Sequence, residues 1–289
     1  MHARKHGRPA RLSPGKVGYV RFQPVHRAAH SVLMISFLGL ALTGLPLKYS
    51  HYQWAQTVSW ALGGFATTGL WHRIFGVANV GCLVFYCLWF GGQLILGPWN
   101  GMTRSRFVFG PDSPVPTGRD VRDVGRMLRW FLGLGPKPTF ERWTYWEKFD
   151  IWAACSDIIL IGSTGIILWF PTQFCALLPG ETLNLASVIH GKLALLATGF
   201  IFTIHFLNTH LRAEKFPMDT SILTGLVSLE ELEEERPELA ARMRASGQFD
   251  EMLEPTPPRR VLWLMTLGGA IALSIGIALL IGILTAVFS

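Results

Sequence analysis

Apolar positions along the chain gather into a few long runs separated by charged or Pro- and Gly-containing stretches. That is the pattern of a membrane protein, not the short alternation of a soluble domain. Val261–Ser289 carries no charge, and Ile74–Leu96 is equally clean. At 1.5 Å of rise per residue, both are long enough to cross a hydrocarbon core of roughly 30 Å. Three further runs qualify with polar residues inside them: Ser31–Leu47, Ile151–Phe170 with Asp157, and Ala186–Leu211 with His190, Lys192, His205 and His210. Lipid tolerates such groups only where they face a partner or a bound group, so these runs are where function is expected. The pattern predicts an all-α integral membrane protein. Residues 1–29 form a basic N-terminal segment, 30–211 a four-helix bundle, 212–260 an acidic linker and helix, and 261–289 an additional C-terminal transmembrane helix.

Charge adds an orientation. Lys and Arg crowd residues 1–29, 97–148 and 212–260, whereas 48–71 holds only Lys48 and 171–189 holds none. The positive-inside rule then places the N-terminus inside and the C-terminus outside. The net charge of +7 comes from these inner loops, so topology explains it and nucleic-acid binding is not expected. The N-terminus lacks the pattern of a cleavable signal peptide. Residues 120–131 read as an amphipathic helix on the inner membrane surface, with Val121, Val124, Met127, Leu128 and Phe131 opposed by Arg122, Arg126 and Arg129. The acidic run Glu230–Glu238 reads as a solvated helix ahead of a Pro-rich linker, with no chemistry assigned to it. The four cysteines show neither a CxxCH motif nor metal-binding spacing, which disfavours c-type haem, zinc and iron–sulfur clusters in this chain.

Once orientation is set, the histidines sort by depth. His30 opens the first span on the inner side, while His72 and His190 open the second and fourth on the outer side. His205 lies fifteen residues beyond His190, roughly 22 Å along an α-helix and within about 60° of the same face. The depths pair His72 with His190 and His30 with His205. Each pair comes from two helices, as an iron bound by two imidazoles requires. The expectation is a di-haem bundle holding two haem b groups, with these four residues as iron ligands and the fourth helix serving both. Gly39, Gly44, Gly76, Gly81 and Gly199 would let a flat macrocycle approach, or would simply let helices pack. Arg73 and Lys192 at the outer side and Arg27 at the inner side are candidates for the haem propionates or for snorkelling to the interface.

The runs Arg27-Ala-Ala-His30, Leu42-Thr43-Gly44 and Trp71-His72-Arg73 and the His190…His205 helix resemble the cytochrome b subunits of formate dehydrogenase and nickel–iron hydrogenase complexes. The similarity extends over about residues 20–220. It includes a related group of bacterial b561-type cytochrome b domains, through Tyr145-Trp-Glu-Lys-Phe-Asp150, Ile204-His-Phe-Leu-Asn-Thr-His210 and Glu214-Lys-Phe-Pro-Met-Asp219. The resemblance implies two stacked haems ligated as paired above and a menaquinone or ubiquinone site near the inner haem. It also implies electron exchange with a partner subunit on the outer side, either an iron–sulfur or a multihaem c-type protein. Two features depart from the formate dehydrogenase type. Its fourth-helix ligands are fourteen residues apart, not fifteen, and here the fifth span and its acidic loop are extra.

His26, one turn before His30, is a rival inner ligand or a propionate neighbour. His210 lies about 140° around the helix from His205. Together His26 and His210 could hold a third haem, contact a quinone, relay protons or play an interfacial structural role. The inner mouth of the third span gathers Tyr145, Glu147, Lys148 and Asp150. With Asn208 and the deeper Asp157, these are candidates for a quinone site or proton path, against the plainer reading of an interfacial anchor. The leading functional expectation is the membrane-anchoring di-haem subunit of a respiratory oxidoreductase, linking an outer redox partner to the quinone pool. The competing readings are a self-contained ferric or b561-type transmembrane reductase and a haem-free transporter or scaffold. The first would place two ligands on each of two helices, and the second predicts broken helices or an internal repeat.

Overall fold

The computed structural model describes residues 12–97, 103–213 and 215–288. Residues 1–11 of the N-terminal segment and Glu214 of the 214–219 motif lie outside the described residues. Five helices are long and apolar enough to cross a membrane: Pro24–Lys48, Phe65–Leu96, Tyr145–Trp169, Glu181–Leu211 and Arg259–Phe288. In chain order the elements are β1 (Val17–Val20), α1 (Pro24–Lys48), α2 (Gln53–Ala61), α3 (Phe65–Leu96), α4 (Arg104–Phe109), α5 (Gly118–Phe131), α6 (Tyr145–Trp169), α7 (Pro171–Cys175) and α8 (Glu181–Phe200). The last of these continues as two π-helical stretches, Ile201–His205 and Leu207–Leu211. Then follow α9 (Ser221–Thr224), β2 (Leu226–Ser228), α10 (Leu229–Glu235), α11 (Pro237–Ala245), β3 (Leu253–Pro255) and α12 (Arg259–Phe288).

The chain divides into two compact units, the first comprising Met1–Arg27, Trp89–Ala153 and Thr209–Thr266. Here the N-terminal and acidic segments, kept apart in the sequence reading, share a small antiparallel sheet of order β2-β1-β3. Tyr19 stands opposite Val227 on one side and Leu253 on the other. Tyr19, Val227, Leu232, Leu239 and Ala240 form a buried core beneath it. The acidic run is therefore a packed amphipathic pair, α10 and α11, whose glutamates cover one side of a core. Strands of three or four residues are too short for alternation to betray them, and their partners lie more than 200 positions away.

An ionic cluster holds this unit together. Arg21 and Arg236, both buried, meet the Glu147 carboxylate at 2.7 and 3.0 Å. Lys215 pairs with Asp219 at 3.1 Å and with Glu231. Burial alone would raise the Asp219 carboxyl, but Lys215 and Ser221 outweigh it and hold the group at about 2. Glu231 goes the other way, pushed up by burial despite Lys215.

Helix α5 is held to the rest of the first unit by its first polar residues. Arg119 reaches Glu238 at 2.7 Å, Asp120 pairs with Lys148 at 3.0 Å, and buried Asp123 takes Arg126 at 3.0 Å. Its apolar side is bare, with Val121 74%, Leu128 58% and Phe131 71% exposed. Arg122, Arg126 and Arg129 are exposed as well, and an exposed apolar stripe beside exposed cations suits a membrane surface.

The second unit comprises Ala28–Leu88, Ala154–Asn208 and Leu267–Ser289. Its core joins Ala41, Leu45, Tyr49, Ala55, Phe202 and Leu279. Helices α1 and α3 are tied by a buried hydrogen bond from Asn79 Nδ2 to Ser36 Oγ at 2.8 Å. Tyr52 Oη donates to the Ala286 carbonyl of α12 at 2.8 Å.

Candidate functional site

The four paired histidines, His30, His72, His190 and His205, all lie in the second unit. Helix α3 carries His72 and α8 carries His190, and the two rings stand 6.2 Å apart between centroids, crossed at 76°. A metal–nitrogen distance of about 2 Å on either side, plus about 1.2 Å from each nitrogen to its ring centre, puts two imidazoles on opposite faces of one iron about 6 Å apart.

Hydrogen bonding fixes which nitrogen each ring offers. The Thr43 hydroxyl donates to the Gly39 carbonyl at 2.6 Å. Towards His72 Nδ1, 3.0 Å away, it can therefore only accept. His190 Nδ1 stands 3.0 Å from the Ile161 carbonyl, another pure acceptor, with Thr164 Oγ1 farther off at 3.4 Å. Both Nδ1 atoms carry the proton, and both Nε2 atoms are left as unprotonated donors. A second ring nitrogen anchored to a carbonyl or hydroxyl is the support that metal-bound histidines receive. Gly44 is needed for the approach, because a Cβ there would stand 2.8 Å from His72 Cε1. Gly165 faces the His190 ring in the same way at 3.1 Å. Of the other glycines, Gly39 accommodates the Phe75 ring, while a Cβ at Gly81 or Gly199 would meet nothing within 4 Å.

Cations surround this end of the unit. The Lys48 ammonium would stand 2.8 Å from a Cβ at Gly191, next to His190, and Arg73 lies over the Trp169 ring at 5.5 Å. Lys192 is exposed. Sequence reasoning named Arg73 and Lys192 but missed Lys48; its position as the one base in an otherwise uncharged stretch was the available signal.

His30 on α1 and His205 on the fourth span are both half-buried. Had the fourth span remained α-helical, fifteen steps from His190 would leave His205 about 60° off its face. The helix changes to π register at Ile201. A π turn advances only about 85° per residue, so ten α steps and five π steps bring His205 to within about 15° of the His190 face. Its rise is also smaller, about 1.15 Å per residue, which leaves the two histidines about 21 Å apart along the axis. The fifteen-residue spacing is thus compatible with one helix face serving two sites.

The remaining candidates fall in different settings. His210 is buried, and its Nδ1 accepts the Asp219 backbone N–H at 3.2 Å, so the loop after the helix is fastened to this ring. His26 packs edge-on against Trp89 at 5.6 Å. The Arg27 guanidinium donates to the Leu223 carbonyl at 2.9 Å, an anchoring contact within the first unit. Glu147 is engaged by Arg21 and Arg236 and also receives the Thr144 N–H at 3.0 Å, while buried Lys148 holds Asp120. These two residues build the start of α6. They are committed to ion pairs, and carrying protons would require breaking them. Tyr145 packs on Phe140 at 6.2 Å, and Asp150 and Asn208 are half-buried. Asp157 is half-buried within α6, and no hydrogen bond or ion pair reaches it among the described residues.

A family model described as Prokaryotic cytochrome b561 matches residues 21–214, about two thirds of the chain. The chain belongs to the prokaryotic cytochrome b561 family. No curated protein matches it. The cytochrome is a multi-pass membrane protein of the haem-b electron-transfer class, whose members typically bind two haems. The matched region contains α1 to α8 with the π stretches and all four paired histidines, and ends before α12. The donor set at His72 and His190 fits a haem iron: two neutral imidazoles, each with a free Nε2 and an anchored Nδ1. A haem bound there would supply a one-electron carrier. What the cytochrome itself contributes is the tautomer, the ring spacing and the nearby positive charge.

Proposed function

We propose that the cytochrome is the membrane-anchoring di-haem subunit of a respiratory oxidoreductase. It would pass electrons between a partner on the outer side, an iron–sulfur or multihaem c-type protein, and menaquinone or ubiquinone on the inner side. His72 and His190 hold one haem b, and His30 and His205 hold the other. The observation that carries this reading is the 6.2 Å separation of the His72 and His190 rings with both Nδ1 atoms tied down. Lys48 and Arg73 are suited to neutralise haem propionates beside that pair, since buried or interfacial carboxylates need cationic partners.

Two haems are favoured over three because the His210 Nδ1 is spent on the Asp219 N–H, which leaves a protonated Nε2 in the neutral ring. On the quinone side, the engagement of Glu147 and Lys148 moves the expectation for proton delivery to Asp157. An unpartnered carboxylate within a membrane helix is costly unless it has work to do, and this supports Asp157 in particular.

The test is to place the purified cytochrome in nanodiscs and mix it with reduced menaquinone and ubiquinone analogues while following the haem α-band. Reduction of haem on a millisecond to second scale, slowed by Asp157→Asn, is the expected result. Failure of either quinol to reduce the haem, at potentials where dithionite does, would refute the quinone-linked role.

A further inference from the structure

We propose that the fifth membrane helix is a splint that holds the fourth helix in π register and thereby sets the face on which His205 is presented. This rests on the two-haem reading above. Without the π register, His205 would sit about 60° away from the His190 face, which is a displacement of several ångströms at the radius of an imidazole.

A π turn is uncommon because its geometry is poorer than that of the α-helix, so a long stretch of it needs support from outside the helix. Helix α12 supplies that support at one point. Phe202, in the middle of the first π stretch, is 6% exposed, and its ring fills the space that a Cβ at Gly276 of α12 would take. Only glycine lets this ring rest on the α12 backbone. Ala272, Gly276 and Leu279, all buried, follow the spacing of one helix face, so the notch lies in a continuous contact stripe. Phe37 of α1 backs the Phe202 ring from another side, with centroids 6.1 Å apart.

The family match ends at residue 214, so α12 stands outside the part that defines the family. The splint gives this additional helix a task in placing a ligand of the His30–His205 site, with Phe202 and Gly276 as positioning residues.

The test uses the full chain and counts haem per polypeptide by pyridine haemochrome, with a potentiometric titration to show which component remains. Gly276→Val should reduce the count from two to one, leaving the midpoint of the His72–His190 component unchanged. Deleting Thr203 leaves fourteen α steps, which give about the same 21 Å rise and a face offset of about 40°, so the register no longer depends on α12. That deletion should keep two haems, and Gly276→Val in its background should now keep two as well. The splint is overturned if Gly276→Val alone leaves both haems and both midpoints as they were. It is also overturned if the substitution removes both haems, or still removes one in the deletion background. A wild-type chain that binds no haem would overturn the two-haem reading itself, and the splint with it.

Discussion

Replacing Thr43 by valine keeps the shape of the side chain and removes one function, the acceptance of a hydrogen bond from His72 Nδ1 at 3.0 Å. In a bis-imidazole site that bond gives the ring some imidazolate character, which favours the oxidised iron over the reduced. A buried neutral hydrogen bond contributes about 1 kcal/mol net, and the part that differs between the two oxidation states is at most that. At about 59 mV per 1.4 kcal/mol for one electron, Thr43→Val should raise the midpoint of one haem by roughly 20–40 mV and leave the other in place. Thr164→Val is the control. Its hydroxyl is 3.4 Å from His190 Nδ1, which the Ile161 carbonyl already holds at 3.0 Å, so a shift under about 10 mV is expected. Potentiometric titration of the α-band in detergent reads both. Equal shifts of the two components, or none in either variant, would refute the assignment of Thr43 to a haem ligand.

Three further outcomes follow from the same structure. His210→Ala should retain two haems per chain but lower thermal stability, by about 1–3 kcal/mol, because the Asp219 N–H loses its buried acceptor; loss of a haem would restore His210 as a ligand. Asp219 is held at about 2, so its stabilising charge is fully present above its ordinary range near 4 and is lost as pH falls towards 2. Asp219→Asn should therefore cost about 2 kcal/mol evenly from pH 8 to 5, a deficit that narrows only below about pH 4; narrowing already between pH 7 and 5 would contradict the ion pair. A bimane label on Leu128→Cys, in a background lacking the native cysteines, should be quenched by brominated lipid in anionic vesicles, given the bare apolar side of α5; absence of quenching would place that face in water.

The spans and the closeness of His72 to His190 were legible in the sequence because both depend on position along a helix in a slab of known thickness. Charge bias and 1.5 Å steps are enough to say which residues share a depth. What escaped depends on contacts between distant segments or on departures from ideal helix geometry. The β1 strand finds its partners more than 200 residues away, and nothing in four residues announces this. Glu147 and Lys148 look like a proton-carrying cluster until Arg21, Arg236 and Asp120 are seen to occupy them. His210 reads as a candidate ligand until the chain turns back to place the Asp219 N–H on it. The π register is invisible to a fixed 100° step, although the 60° residual it removes was a sign that the α-helix does not continue unchanged.

The central claim is that two histidine pairs hold two haems, and single substitutions of all four ligands test it most directly. Reduced-minus-oxidised spectra and haem counts should give two haems in the wild type and one in each alanine variant. His72→Ala and His190→Ala should lose the same redox component, and His30→Ala and His205→Ala the other. A wild type without haem, or variants of His72 and His190 that lose different components, would contradict the account.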